Sequence, residues 1–399
     1  MEDPVELAEK VLSDVPLCDR CLGRLFAMLG RGLGNDERGR ALKLAVVLRL
    51  HARIREGDRE AVERFKAIAP NVGPLASRLY EETFGQRLEP KACHICGGLL
   101  DKFLDEAAAK VYRALAEYNV RSFLVGVRVS REYVLREEEL KSRYSLKYAE
   151  SLKSELKREI GKLVQARYGL RPDFVKPDAM AIVEFPSGEV EVSVRRLGIG
   201  VIYTRRNRWA PIRPYEPHPL LGAVLERTGG ASAAVHGLVR DELGVRVLGT
   251  GVPIVVEVSR PKVRDAVRPG ETLDANGSTF EVRSLEAEPP TDEELSRRVR
   301  TYRCVILAED PLSPAALSLA ASSLSGRQVK QRVGTHEAVG ELKGVVCSQV
   351  SDRVAECLVT VSERVYVKEL VTGEGTSPSL SEALGTRVEC IQADLLEVR

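Results

Sequence analysis

A chain of 399 residues, 44% of them hydrophobic, exceeds what one core usually organises and predicts two or three domains. Sixty Lys and Arg against 58 Asp and Glu leave a net charge of +2, so any nucleic-acid surface must arise from local clustering of positive charge. No apolar run is long enough to span a membrane, and the acidic opening Met1-Glu2-Asp3-Pro4 lacks a signal peptide's basic start, which predicts a cytoplasmic protein without a membrane partner.

Residues 1–90 read as helical, with apolar positions at helical spacing over 38–55 and 61–68 and a break between Pro70 and Pro74. A helix over 102–118 precedes an alternating strand over 122–129. A strongly charged helix over 148–168 follows, and then two strands, 179–185 and 189–195, joined by the turn Pro186-Ser187-Gly188. Next come Arg195-Arg196 and the run Tyr203 to Trp209, which carries Arg205, Arg206, Arg208 and the one tryptophan. Arginines interleaved with aromatics can hold phosphates and stack on bases, which predicts RNA contact by Arg195, Arg196, Arg205, Arg206, Arg208 and Trp209; the alternative is a plain charged surface. The proline-rich stretch from Ala210 to Pro219 reads as a linker. Beyond it, strands over 252–258, 279–285 and 300–308, a helix over 314–324, and a meander of 342–347, 356–361 and 364–370 predict an α+β domain on a mixed, mostly antiparallel sheet. Gly249-Thr250-Gly251 lacks the following glycine of a dinucleotide fingerprint, and no Walker loop is present, so no organic cofactor is implied.

Of the eight cysteines, Cys18, Cys21, Cys93 and Cys96 form two Cys-x-x-Cys pairs. In a reducing compartment such pairs favour a structural zinc over disulfides, because together they supply the four soft ligands of a tetrahedral site. His94 competes as a ligand but is superfluous beside four thiols. Cys304, Cys347, Cys357 and Cys390 are scattered and read most simply as small apolar residues.

Between Arg240 and Arg246 stand two adjacent carboxylates, Asp241 and Glu242, beside a glycine-bounded turn, a place for chemistry on an anionic polymer. The stretch His236 to Gly251 closely resembles the active-site motif of the archaeal tRNA T-loop pseudouridine synthases. In an ungapped alignment Glu242 occupies the position of that family's catalytic aspartate, Asp241 that of a glutamate, and Gly244 that of a second aspartate. Leu17 to Arg24 with Gly32 to Gly39 is similar to the opening of the same family, in which a second pair, here Cys93 and Cys96, completes the zinc site. Glu150 to Lys153 and Pro177-Asp178 resemble elements of its THUMP-like RNA-binding domain.

The resemblance implies a zinc-bracketing helical segment over 1–100, a THUMP-like domain over 101–210 and a pseudouridine synthase domain over 211–399. It further implies an isomerase that acts on adjacent T-loop uridines of tRNA without organic cofactor or obligate protein partner. In Arg300-Thr301-Tyr302-Arg303 the tyrosine would stack on the target base. In Tyr366-Val367-Lys368-Glu369-Leu370, Lys368 would be the cation beside the catalytic acid and Tyr366 a substrate contact, while Val367, Leu370 and Leu395 would pack the pocket; Arg240 and Arg246 flank the acids as substrate contacts. The family's arginine-rich thumb survives only as Gln331 to His336, expected at an RNA-facing rim. Because Glu242 is longer than aspartate by one methylene, about 1.5 Å, three outcomes stand. Glu242 works on a readjusted backbone, Asp241 takes over, or the chain is a non-catalytic tRNA-binding protein derived from such an enzyme.

Overall fold

The computed structural model describes residues 3–212, 218–239 and 243–399, which fall into two compact units, Met1–Ser193 and Val194–Arg399. Among the described residues no helix is long and apolar enough to cross a membrane.

The first unit opens with helices Pro4–Asp14, Asp19–Arg24, Asn35–Arg55, Arg59–Val72 and Ser77–Phe84. Asp19–Arg24 packs on Asn35–Arg55 backbone to backbone. A Cβ on Gly23 would lie 1.8 Å from the Asn35 carbonyl oxygen, and one on Gly39 1.9 Å from that of Asp19, so no side chain fits at either crossing point. The expected break between Pro70 and Pro74 falls at Gly73: Pro70 stays inside the helix, which ends at Val72, and Gly73 has a φ of 86° that no β-carbon tolerates well.

Helix Leu100–Ala116 then buries Leu100, Phe103, Leu104, Ala107, Ala108, Val111 and Leu115, the i, i+3, i+4 stripe of an amphipathic helix. Helix Leu152–Tyr168 buries Leu152, Leu156, Ile160 and Val164 and is capped by Ser151, whose hydroxyl accepts from the Ser154 amide at 3.1 Å. Their sheet has the order 171–172, 122–129, 179–185, 190–194, with 122–129 and 179–185 running parallel. Helix Arg131–Arg143 escapes the sequence reading because its polar composition hides the few positions it buries, Tyr133, Glu137 and Leu140.

An eleven-stranded sheet forms the second unit. Its main path runs 376–377, 327–333, 336–351, 354–362, 299–308, 388–398, 245–259, 197–205, 278–285, 272–275, and strand 232–236 pairs with 245–259. Neighbours are antiparallel except 388–398 with 245–259, as expected for a mixed, mostly antiparallel sheet. Strand Leu197–Arg205 pairs on both sides within this sheet, so the chain passes into the second unit well before the linker at 210.

Two expectations are corrected here. Residues 364–370 do not extend the meander; Val367–Thr372 is a helix. The Gln331 side chain clamps the backbone just before it, accepting from the Tyr366 amide at 2.7 Å and donating to the Tyr366 carbonyl at 2.8 Å, and Gly373 closes the helix in the left-handed region. That same Gln331 is buried, while Arg332, Gly334 and Thr335 beside it are exposed. Cys347 and Cys357, read as apolar filling, are opposite residues on antiparallel strands and form a disulfide.

Candidate active site

In the sheet, register sorts the expected site residues onto two faces. Tyr302 lies opposite Leu395, Leu395 opposite Val247 and Val247 opposite Arg205, and all four are fully buried. One residue along each of three strands, on the other face, Arg303 lies opposite Asp394 and Asp394 opposite Arg246. Tyr302 belongs to the same core as Val367 and Leu370. Its hydroxyl accepts a hydrogen bond from Arg300 Nη1 at 2.6 Å, and Arg300, itself buried, donates through Nη2 to the carbonyls of Glu363 (2.7 Å) and Val365 (2.6 Å). Sequence reasoning missed this role of Arg300, although the Arg-x-Tyr spacing that puts both on one strand face was visible.

Because Val367, Leu370 and Val371 take the buried stripe of their short helix, Lys368 projects elsewhere. Its ammonium donates to the carbonyl of Leu243 at 2.9 Å. Gly244, next in the chain, has φ +71°, and a Cβ there would sit 2.7 Å from Lys368 Nζ and 3.9 Å from the Trp209 ring. This explains the glycine at the position of the family's second aspartate: any side chain would displace the lysine. The Gly244 amide donates to the Arg208 carbonyl at 3.1 Å, while Val239 and Val245 are buried on either side of the bend. Leu243 and Gly244 are thus fixed by the Lys368 ammonium and by the Arg208 carbonyl. Arg240, Asp241 and Glu242 themselves lie outside the described residues.

A buried carboxylate sits beside this bend. Asp394 receives Arg246 in bidentate fashion (2.8 and 2.5 Å), Arg303 at 2.8 Å and Arg208 at 2.5 Å. Burial pushes its carboxyl up, but the hydrogen bonds from Arg246 and Arg303 and the charges of Arg208 and Arg246 outweigh that and hold it below the ordinary range. No motif pointed to Asp394; its role depends on a cross-strand register that the sequence does not display.

The basic run at 195–209 is not one patch. Arg195 pairs with Glu286 and Arg196 with Glu257 (2.7 Å) at one end of strand 197–205, while Arg206, Arg208 and Trp209 follow its other end. Arg205 is fully buried, donating to the Val245 carbonyl at 2.5 Å, and its guanidinium cannot meet RNA. Adjacency in sequence misled, because a nine-residue strand separates its ends by roughly 30 Å. At the end of the strand nearer Gly244, Arg206 and Trp209 are exposed and Arg208 is half-buried, while at the other end Arg196 is exposed.

In the first unit, the sulfurs of Cys18, Cys21, Cys93 and Cys96 all lie within 4.8 Å of one another. Four thiolates about 2.3 Å from one tetrahedral ion would stand ~3.8 Å apart, so the cluster suits a metal. Cys18 Sγ accepts from the Cys21 amide at 3.4 Å and Arg24 Nη2 approaches Cys21 Sγ at 3.7 Å, the outer support that orients metal thiolates. His94 is not a member of this cluster.

Comparison with known proteins gives one consistent result. Residues 107–184 match the model of the archaeal Pus10 THUMP domain, and residues 218–399 match that of the Pus10 C-terminal domain. A tRNA pseudouridine synthase Pus10 of Acidilobus saccharovorans is 45% identical over 100% of this chain and 98% of its own. One of Aeropyrum pernix is 36% identical over 99% and 97%.

Proposed function

Since the chain belongs to the archaeal Pus10 family of tRNA pseudouridine synthases, we propose that it isomerises adjacent uridines in the T loop of tRNA, with Glu242 as the catalytic acid. The observation that carries this assignment is the hydrogen bond from Lys368 to Leu243, which holds an ammonium at the residue directly after Glu242. A cation there favours the ionised carboxylate in a poorly hydrated site. The target nucleotide is flipped from its stack, Glu242 acts as nucleophile or general base while the bond from ribose to N1 breaks, C5 then joins the sugar, and the proton lost from C5 is balanced by one gained at N1, so no cofactor is consumed.

Tyr302, fully buried with Leu395, Val367 and Leu370, contributes to the apolar layer that supports the site from below and excludes water, and does not itself stack on the base in this conformation. Tyr366, Arg240, Arg246 and Lys368 contact the substrate, and Arg206, Arg208 and Trp209 hold the strand that enters. The THUMP-like domain of the first unit contacts the body of the tRNA, and the protein acts in the cytoplasm. Its four clustered cysteines hold a structural zinc, which ties the start of the chain to residues 93–96.

Incubating an unmodified tRNA transcript with the purified protein and mapping pseudouridine chemically tests the substrate. Product confined to the T loop is expected. Tight binding without product would support the non-catalytic tRNA-binding protein that the glutamate at 242 makes worth testing.

A zinc chelator provides a separate test. Hydrogen exchange should rise across residues 1–193 on metal removal and stay unchanged over 194–399. A metal-free protein with four free thiols and unaltered exchange would refute structural zinc.

A further inference from the structure

Asp394 is 1% exposed, whereas the side chains of Arg208, Arg246 and Arg303 that converge on it remain 17%, 31% and 36% exposed. A carboxylate offers about four acceptor sites, and these four contacts occupy them. One ion pair would have satisfied the buried acid. Among the described residues, three guanidiniums around one carboxylate leave a charge of +2 (three positive, one negative) at a half-buried place, an arrangement relieved by an anion. Arg246 stands two residues beyond Gly244, and the Arg208 carbonyl accepts from the Gly244 amide, so this excess charge borders the Leu243–Gly244 turn that follows Glu242 in the chain.

We propose that Asp394 is a positioning residue that holds Arg208, Arg246 and Arg303 as a socket for backbone phosphates of the RNA strand beside the flipped nucleotide. The proposal rests on the reading that RNA enters at the 240–244 bend. Asp394 touches no substrate; it fixes the planes and spacing of three guanidiniums, of which Arg246 and Arg303 keep about a third of their side-chain surface open to an anion. Long side chains would otherwise lose rotamer freedom on binding, and the buried carboxylate has already ordered them.

The near-isosteric Asp394→Asn variant of the full chain gives a sign test. It raises the net positive charge by one, so electrostatic attraction alone predicts tighter tRNA binding, whereas loss of positioning predicts weaker binding. We expect Kd and KM for an unmodified tRNA transcript to rise about tenfold at physiological salt with kcat within about threefold, and the slope of log Kd against log salt to fall by roughly one to two. A purely structural role would lower the melting temperature and leave Kd, KM and the salt slope of the folded enzyme unchanged; that result, or tighter binding, overturns the proposal.

Arg303→Gln decides the question if the first variant does not fold. It should reduce the slope by about 0.7, one phosphate contact to a single strand, and an unaltered slope counts against the socket. Should the wild-type protein bind tRNA but make no pseudouridine, the catalytic reading fails while weaker binding by the variants still supports the socket. Should it bind no tRNA, both fail.

Discussion

Alanine at position 242 is expected to stop pseudouridine formation on an unmodified tRNA transcript, lowering kcat by about 10³-fold or more while tRNA affinity changes less than about threefold. A group needed only in the transition state shows this split, because binding energy from the rest of the tRNA is untouched. Asp241→Ala should retain most of the product, because the Lys368 ammonium is anchored at Leu243, next to Glu242. Single-turnover kinetics with both variants read the outcome directly. If product disappears with Asp241→Ala and survives Glu242→Ala, the catalytic role moves one residue back. Glu242→Asp restores the family's shorter acid, yet Leu243 and Gly244 are already pinned by Lys368 and by the Arg208 carbonyl, so a carboxylate withdrawn by about an ångström should cost about a hundredfold in rate.

The largest stability effect is expected from Arg24→Ala. Arg24 is fully buried and pairs with Glu155 at 2.8 Å and Glu137 at 3.2 Å, both also buried. Glu137 additionally accepts the Leu152 amide at 3.0 Å, so one network joins the cysteine-bearing helix Asp19–Arg24 to helices Arg131–Arg143 and Leu152–Tyr168. Truncating the arginine leaves two buried carboxylates without their main counter-charge, with only Lys141 at 3.3 Å from Glu137 and Arg20 at 3.9 Å from Glu155. Such a loss costs about 3–5 kcal/mol, a large share of the roughly 5–15 kcal/mol that holds a domain together. A melting temperature lower by roughly 6–20 °C for the first unit is the corresponding shift, measurable by calorimetry or circular dichroism. Arg24→Met combined with Glu137→Gln and Glu155→Gln removes all three charges and should recover most of the loss, since a neutral glutamine at 137 can still accept from Leu152. A triple variant as unstable as Arg24→Ala would show that packing, not the orphaned charge, sets the effect.

Much of this molecule was legible without coordinates where one local rule sufficed. Periodicity located the helices Asn35–Arg55, Leu100–Ala116 and Leu152–Tyr168 and the strands Ser122–Val129 and Ala179–Phe185, because each buries a regular face and carries its own signal. Paired spacing singled out the four clustered cysteines, and ordered motifs named Tyr302, Val367, Leu370 and Leu395, which share one core. Residues 364–370 went wrong because Gln331, distant in sequence, decides the backbone there. Arg205 went wrong because its burial depends on which strands flank it.

The sequence by itself therefore determined the family, the mixed helix-and-strand class and the short list of chemical groups, since these follow from residue type and local spacing. Only the tertiary structure decided which charges face one another. It set Lys368 against Leu243, made room for that lysine at Gly244, split the basic run into two ends and gathered three arginines on Asp394. The physical reason is that ion pairing and cross-strand register act between residues far apart in the chain, at distances that exist only once the sheet has closed.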